Sequence, residues 1–194
     1  MGRADCPSAW GSAGRGNYQL SRFIHNRTVR RETIDINRRA AHLKRPMTCL
    51  YGTSVAIGGA GVLLQGPSGS GKSDLALRLI DEGACLVADD QTEVQRNGKD
   101  LAMRAPAVLA GLIEARGLGI MRVPHVAEAP LRLIVELAAE TGIERLPEAR
   151  SRTIDGVAVP VIALDPHAAS APAKLRLAMK ALTSPPLAGA LALP

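Results

Sequence analysis

The stretch "GVLLQGPSGSGKSDLALRLIDEG", residues 61–83, constrains the fold more than any other part of this 194-residue chain. Gly66-Pro67-Ser68-Gly69-Ser70-Gly71-Lys72-Ser73 satisfies G-x-x-x-x-G-K-[ST] in full. Such a loop needs a β-strand before it and an α-helix after it. Its glycines let the backbone wrap successive N–H groups around a phosphate, and the helix N-terminus adds partial positive charge at the same point. Both flanks are present: "GVLLQG" is a short apolar run, and "SDLALRLIDEG" places Leu75, Leu79 and Ile80 on one helical face with Gly83 as its stop. Lys72 is placed to bridge β- and γ-phosphate oxygens, and the Ser73 hydroxyl to ligate Mg2+. A glycine-rich turn with an incidental lysine is the plainer alternative, and it leaves the two flanks unexplained.

The neighbouring text sets the fold class. "TSVAIGG" pairs with "GVLLQG" as a hairpin split by Gly58, Gly59 and Gly61. "CLVADD" reads as a buried strand ending on two carboxylates, and "TEVQRNGKDLAMRA" as a hairpin around Asn97-Gly98. Pro106 suits the first turn of a helix, "PAVLAGLIEARG", closed by Gly117. "GIMRV", "LRLIVEL" and "VAVPVIAL" read as strands, and "APAKLRLAMKAL" as a last amphipathic helix. Interleaved strands and helices predict an α/β domain with a mixed sheet and flanking helices.

Composition narrows the partners. Trp10, Tyr18 and Phe23 all precede Met47, so Tyr51 is the only aromatic residue of the folded part and the core must be aliphatic. The net charge of +6 is an N-terminal property: residues 1–46 hold ten Lys/Arg against three Asp/Glu, and residues 47–194 hold fourteen against fifteen. With neither a basic face nor aromatic platforms on the domain, no nucleic-acid partner is expected. No apolar run approaches the roughly 20 residues of a membrane span, and no secretory signal opens the chain. A cytoplasmic protein is expected, with Cys6, Cys49 and Cys85 as free buried thiols. Residues 1–46 read as a disordered basic extension, 47–184 as the catalytic domain and 185–194 as a flexible tail. A targeting peptide, or Met47 as the natural start, are the other readings of the extension.

Two further clusters carry chemistry. Asp89 and Asp90 follow Lys72 by seventeen and eighteen residues, at the C-terminal end of the next strand, where an open α/β sheet presents its ligand-binding groups. On an extended strand the two side chains point to opposite sides, so one faces the nucleotide while the other braces a neighbour. "IEARGLGI", residues 113–120, sets Glu114 and Arg116 at a predicted helix end beside Gly117 and Gly119. By itself this reads equally as a helix-terminal surface pair.

In this order and at these separations, Lys72-Ser73, "VADD" and "EARGLGI" resemble the C-terminal catalytic domain of bacterial HPr kinase/phosphorylase. Its signature has the form E-[IV]-R-G-[LI]-G-I, from which only Ala115 departs. The resemblance covers residues 48–182. It implies the HPr kinase/PEP carboxykinase-like type of P-loop fold and transfer of the ATP γ-phosphate to a serine of an HPr-type phosphocarrier protein. It further implies phosphorolysis of the phosphoserine and a homo-oligomer, a hexamer. Matched residue by residue, it makes Asp90 the catalytic base, Lys72 the phosphate lysine, and Ser73 and Glu114 the Mg2+ ligands. Arg116 belongs to the signature, and Arg145 in "ERLPE" matches a catalytic arginine.

This chain departs from the family pattern at three points. Tyr51 stands where the family carries a functional histidine, and a phenol does not titrate near neutrality as imidazole does. The usual N-terminal domain has no counterpart, and "ALDPHAASAPAK" replaces the proline-glycine-arginine loop linked to phosphorolysis. His125 and His167 read as surface or loop residues outside the pocket. A small-molecule P-loop kinase and a nucleotide-binding regulator without catalysis are the competing functions. The first would usually carry an arginine-rich lid, and the second has no catalytic need for Asp90, Glu114 and Lys72 together.

Overall fold

The computed structural model describes residues 47–183. The readings of the basic extension and of the tail lie outside the described residues. In chain order the elements are β1 (Met47–Tyr51), β2 (Thr53–Ile57), β3 (Ala60–Gln65), α1 (Lys72–Asp81), β4 (Cys85–Ala88), β5 (Gln91–Asn97) and β6 (Asp100–Arg104). They continue with β7 (Leu112–Ala115), β8 (Gly119–Arg122), β9 (Ala129–Leu137), β10 (Arg150–Ile154), β11 (Val157–Leu164) and α2 (Ala171–Thr183).

Nine strands form one mixed sheet along the path β1-β5-β6-β9-β3-β2-β4, with β11 and then β10 branching from β9. Strand β9 runs parallel to β3 and, through its C-terminal half, parallel to β11. Its first residues pair antiparallel with β6. Strands β3 and β4 both pair antiparallel with β2, so they point the same way. The C-terminal ends of β3, β4, β9 and β11 therefore share one edge of the sheet. From that edge leave the phosphate loop, the Asp89-Asp90 pair, the loop carrying Arg145, and Asp165-Pro166-His167.

Alternation along the central strands splits the core in two. Val55, Val62, Leu64, Leu86, Leu133 and Val135 pack under α1 and α2 against Leu75, Leu79, Leu175 and Met179. Ala56, Leu63, Val87, Leu131 and Ile134 face the other way, onto Val94, Leu101 and Met103 of the β5–β6 hairpin. Leu131 and Leu133 should share a face by period two, yet they serve opposite cores. A bulge explains this: Gly61 pairs with Leu131 but Val62 with Leu133, so β9 carries an extra residue there. No aromatic side chain is buried among the described residues; the apolar core is built from aliphatic side chains, methionines and Cys85, with Thr53, Ser54, Asp89 and Thr92 as the buried polar groups.

Three expectations need correction. Residues 106–117 are not a helix: one 3-10 turn, Ala107–Leu109, leads into β7, which forms a separate hairpin with β8. Gly111, inside the expected helix, has φ of 73°, which a helix interior does not accommodate, and Ile113 and Ala115 are buried while Glu114 between them is exposed, a period of two. Second, β4 stops at Ala88, before the carboxylates. Third, Cys49 is free but exposed, and Cys85 is buried but engaged, so neither is a free buried thiol. Cys6 lies outside the described residues.

Gly61 marks the tightest strand contact. A Cβ there would collide with Met103 Cε and lie 2.8 Å from the Pro130 carbonyl oxygen. Gly61→Ala is expected to lower unfolding free energy by about 1–3 kcal/mol, read as a reduced urea midpoint at constant m-value. An unchanged midpoint would show that β9 and Met103 yield without cost.

Candidate active site

The phosphate loop is shaped by its glycines. Gly69 and Gly71 hold φ of 78° and 86°, and a Cβ on Gly66 would come within 2.6 Å of Ser70 Oγ. Ser70 N–H donates to the Pro67 carbonyl at 3.2 Å, closing a turn inside the loop. Helix α1 starts on Gly71 without a side-chain cap, and its first internal bond runs from Leu75 N–H to the Gly71 carbonyl at 2.9 Å. The amides of Lys72, Ser73 and Asp74 are thus left to an external acceptor. Ser70 Oγ is buried without a partner. Unspent donors around a positive helix end fit a phosphate group. Lys72 Nζ donates to the carbonyls of Gly66 at 3.1 Å and Pro67 at 2.9 Å, which holds the ammonium over its own loop.

Asp89 is 8% exposed and spends both oxygens as acceptors. Oδ1 takes the hydroxyls of Thr53 at 2.7 Å and Ser73 at 3.1 Å, and Oδ2 takes the Glu114 backbone N–H at 3.0 Å. Because the Ser73 proton points at this carboxylate, the oxygen's lone pairs are left for a cation. Asp89 is therefore the bracing member of the pair.

Asp90 is the exposed member, with φ of 62°. Gln91 N–H donates to the Asp89 carbonyl at 2.8 Å across it, and Gly52 N–H donates to its own carbonyl at 3.0 Å. The two carboxylates are separated by this left-handed turn, not by strand alternation as expected. Asp is among the few residues that tolerate a positive φ.

A cavity of about 540 Å3 joins these parts, within the usual range for a small-molecule site. Its lining includes Ser68, Gly69, Gly71, Lys72, Ser73, Asp90, Glu114 and Arg116. Two elements far apart in sequence, the P-loop and the β7–β8 hairpin, thus meet in one space. Arg145 does not line it and lies exposed on the loop after β9. Tyr51 also stands outside the lining: its side chain is 75% exposed, and its carbonyl accepts from Gln65 Nε2 at 3.0 Å.

The sequence reading missed Asp74, Leu77, Ala115, Leu118 and His167, all of which line the cavity. His167 reverses the expectation made for it. Its place just past the end of β11, a strand parallel to β9, was the available signal. Among the described residues no three His, Cys, Asp or Glu side chains converge as a metal cluster.

The strand, glycine loop and helix, with carboxylates from neighbouring strand ends, define a P-loop α/β domain. The chain belongs to the HPr serine kinase C-terminal domain family, whose model matches residues 44–174. HPr kinase/phosphorylase proteins from Burkholderia lata and Burkholderia cenocepacia are each 39% identical over 126 residues, spanning 60% of this chain and 39% of the relative. The chain thus matches about two fifths of the length of these curated relatives. The solved Hpr(Ser) kinase/phosphatase structure from Coxiella burnetii superposes with a TM-score of 0.62 at 27% identity, covering 69% of this chain and 93% of that one. The mixed sheet with flanking helices is the architecture of that structure. No helix among the described residues is long and apolar enough to cross a membrane.

Asp89→Asn replaces an acceptor that three donors use, so about 1–3 kcal/mol of stability should be lost. Asp90→Asn should leave the urea midpoint unchanged, since asparagine tolerates the left-handed turn equally well. Equal midpoints for the two variants would contradict the division of roles between the carboxylates.

Proposed function

We propose that this chain is a Mg-ATP-dependent protein-serine kinase whose substrate is an HPr-type phosphocarrier protein. The supporting observation is that the phosphate loop, Asp90 and Glu114 share one cavity although three separate segments supply them. Relatives named HPr kinase/phosphorylase supply the substrate class.

Gly66, Pro67, Ser68, Gly69, Ser70, Gly71, Lys72 and Ser73 bind the nucleotide phosphates. Lys72 exchanges two neutral carbonyls for anionic phosphate oxygens, a stronger partner. Ser73 Oγ and the Glu114 carboxylate would hold Mg2+, which would supply charge neutralisation at the nucleotide phosphates. Asp90 accepts the proton of the substrate serine as its oxygen bonds to the γ-phosphorus and the bond to the ADP oxygen breaks. Lys72 and Arg116 stabilise charge on the equatorial oxygens. Arg145, singled out by the resemblance, stands outside the lining, so Arg116 is the arginine the geometry favours.

Phosphorolysis would use the same groups in reverse, with Asp90 returning the proton to serine. Tyr51 brings no imidazole to that reaction, and forward phosphorylation is the proposed activity. A catalytic domain bounded by residues 47 and 184 and assembly into a hexamer complete the proposal. Sedimentation velocity reads the assembly.

The test uses the full chain, radiolabelled ATP and an HPr-type protein, and label on a phosphocarrier serine is the expected result. Asp90→Asn should lower turnover by roughly 10²–10⁴-fold while ATP affinity stays within about twofold. Normal turnover in that variant would remove Asp90 from its role. Glu114→Gln should raise the Mg2+ concentration for half-maximal activity by about tenfold; an unchanged requirement would remove the metal role. Label on a small molecule would point to a metabolite kinase instead, and binding without transfer to a regulator.

A further inference from the structure

The cavity lining includes a side chain that the proposed phosphoryl transfer does not use. His167 sits in the turn Asp165-Pro166-His167, where its N–H donates to Asp165 Oδ1 at 2.9 Å and the proline restricts the backbone. The turn is strapped to α1. The Arg78 guanidinium donates to the Pro166 carbonyl and, at 3.4 Å, to the Ala168 carbonyl, while its Nε pairs with Asp74 at 3.2 Å. A Cβ on Gly71 would lie 3.3 Å from His167 Cε1, so the ring stands in contact range of the last loop glycine. The imidazole is exposed and lines the cavity together with Asp74 and Leu77.

The path of a nucleotide through this cavity follows from its chemistry. The γ-phosphate belongs near Asp90, Glu114 and Lys72, where a proton acceptor, a metal ligand and a cation meet. The loop amides take the β-phosphate, and the first turn of α1 takes the α-phosphate. The nucleoside must then lie past that turn, where Leu77 and His167 supply an aliphatic wall and a flat ring.

We infer that His167 is a nucleotide-contact residue, its imidazole packing on the base while Leu77 lines the same seat. This rests on the ATP-binding reading of the site given above. A flat ring packs on any base, so the contact strengthens nucleotide binding without choosing adenine over guanine.

Titration calorimetry on the full chain separates the two ends of the ligand. The ligands are Mg-ATP, Mg-GTP and the magnesium salt of inorganic triphosphate, against the parent, His167→Ala, His167→Phe and Lys72→Ala. His167→Ala should weaken ATP and GTP alike by about tenfold, with triphosphate affinity within about twofold of the parent. His167→Phe keeps a flat ring and should bind ATP near the parent's affinity. Lys72→Ala should weaken all three ligands. If the parent binds ATP and His167→Ala binds it equally well, this inference alone falls. Equal loss of triphosphate in His167→Ala would also overturn it, because the ring would then act on the phosphate loop. A parent that binds neither ATP nor triphosphate overturns the kinase proposal, and the nucleoside seat with it.

Discussion

A single buried carboxylate holds the site together. Asp89 receives Thr53 from the start of β2, Ser73 from the first turn of α1 and the Glu114 amide from β7. None of these three segments is adjacent to another in sequence, and only one of them belongs to the phosphate loop. Burying a carboxylate is costly unless its oxygens are satisfied, and here three donors provide that. The fold therefore cannot keep Asp89 inside unless the loop serine and the hairpin are both in place. Assembly of the site and stability of the domain rest on the same interaction.

That knot works because of strand direction. With β3, β4, β9 and β11 all ending at one edge, the loops after them open onto the same space. The phosphate loop, the two aspartates and the His167 turn arrive there as consequences of topology, not of local sequence. Alternation along β3 and β9 feeds both cores, and the bulge in β9 opposite Gly61 turns Leu131 to the core opposite the one Leu133 serves. A sheet fixed in this way gives the loops a rigid base, which suits chemistry that depends on placement.

What was legible in the sequence follows the same division. The loop from Gly66 to Ser73 was readable because its function demands particular residues at particular spacings. Asp90 and Glu114 were readable only in combination, through their order after Lys72. Residues 106–117 read as a helix because Leu112, Ile113 and Ala115 satisfy a helical pattern as well as a strand pattern, and the arbiter is the left-handed glycine at 111, inside that stretch. Strand β1 went unnoticed because its residues alternate between exposed and half-buried and never form an apolar run. His167 was invisible for a different reason. A histidine in a polar loop carries no local signature, and only the parallel pairing of β11 with β9 brings it to the cavity edge.

The β7–β8 hairpin shows how rigidity is graded within the site. It is separate from the nine-stranded sheet, yet its root is fixed. Val123 N–H donates to the Gly111 carbonyl at 3.0 Å, and Leu86 exchanges bonds with Pro124 and Val126 at 2.9 Å. Glu114 sits on this anchored part, its own amide held by Asp89. Arg116 lies beyond it, in the turn at the tip with Leu118, which is 75% exposed. The metal-ligand role proposed for Glu114 calls for placement to within a fraction of an ångström, because Mg2+ demands near-ideal octahedral geometry. The role proposed for Arg116, following charge as it spreads over phosphate oxygens, gains from reach, since a delocalised fork tolerates more than one approach. Within four residues the hairpin supplies both kinds of support, a braced strand for the carboxylate and a free turn for the arginine.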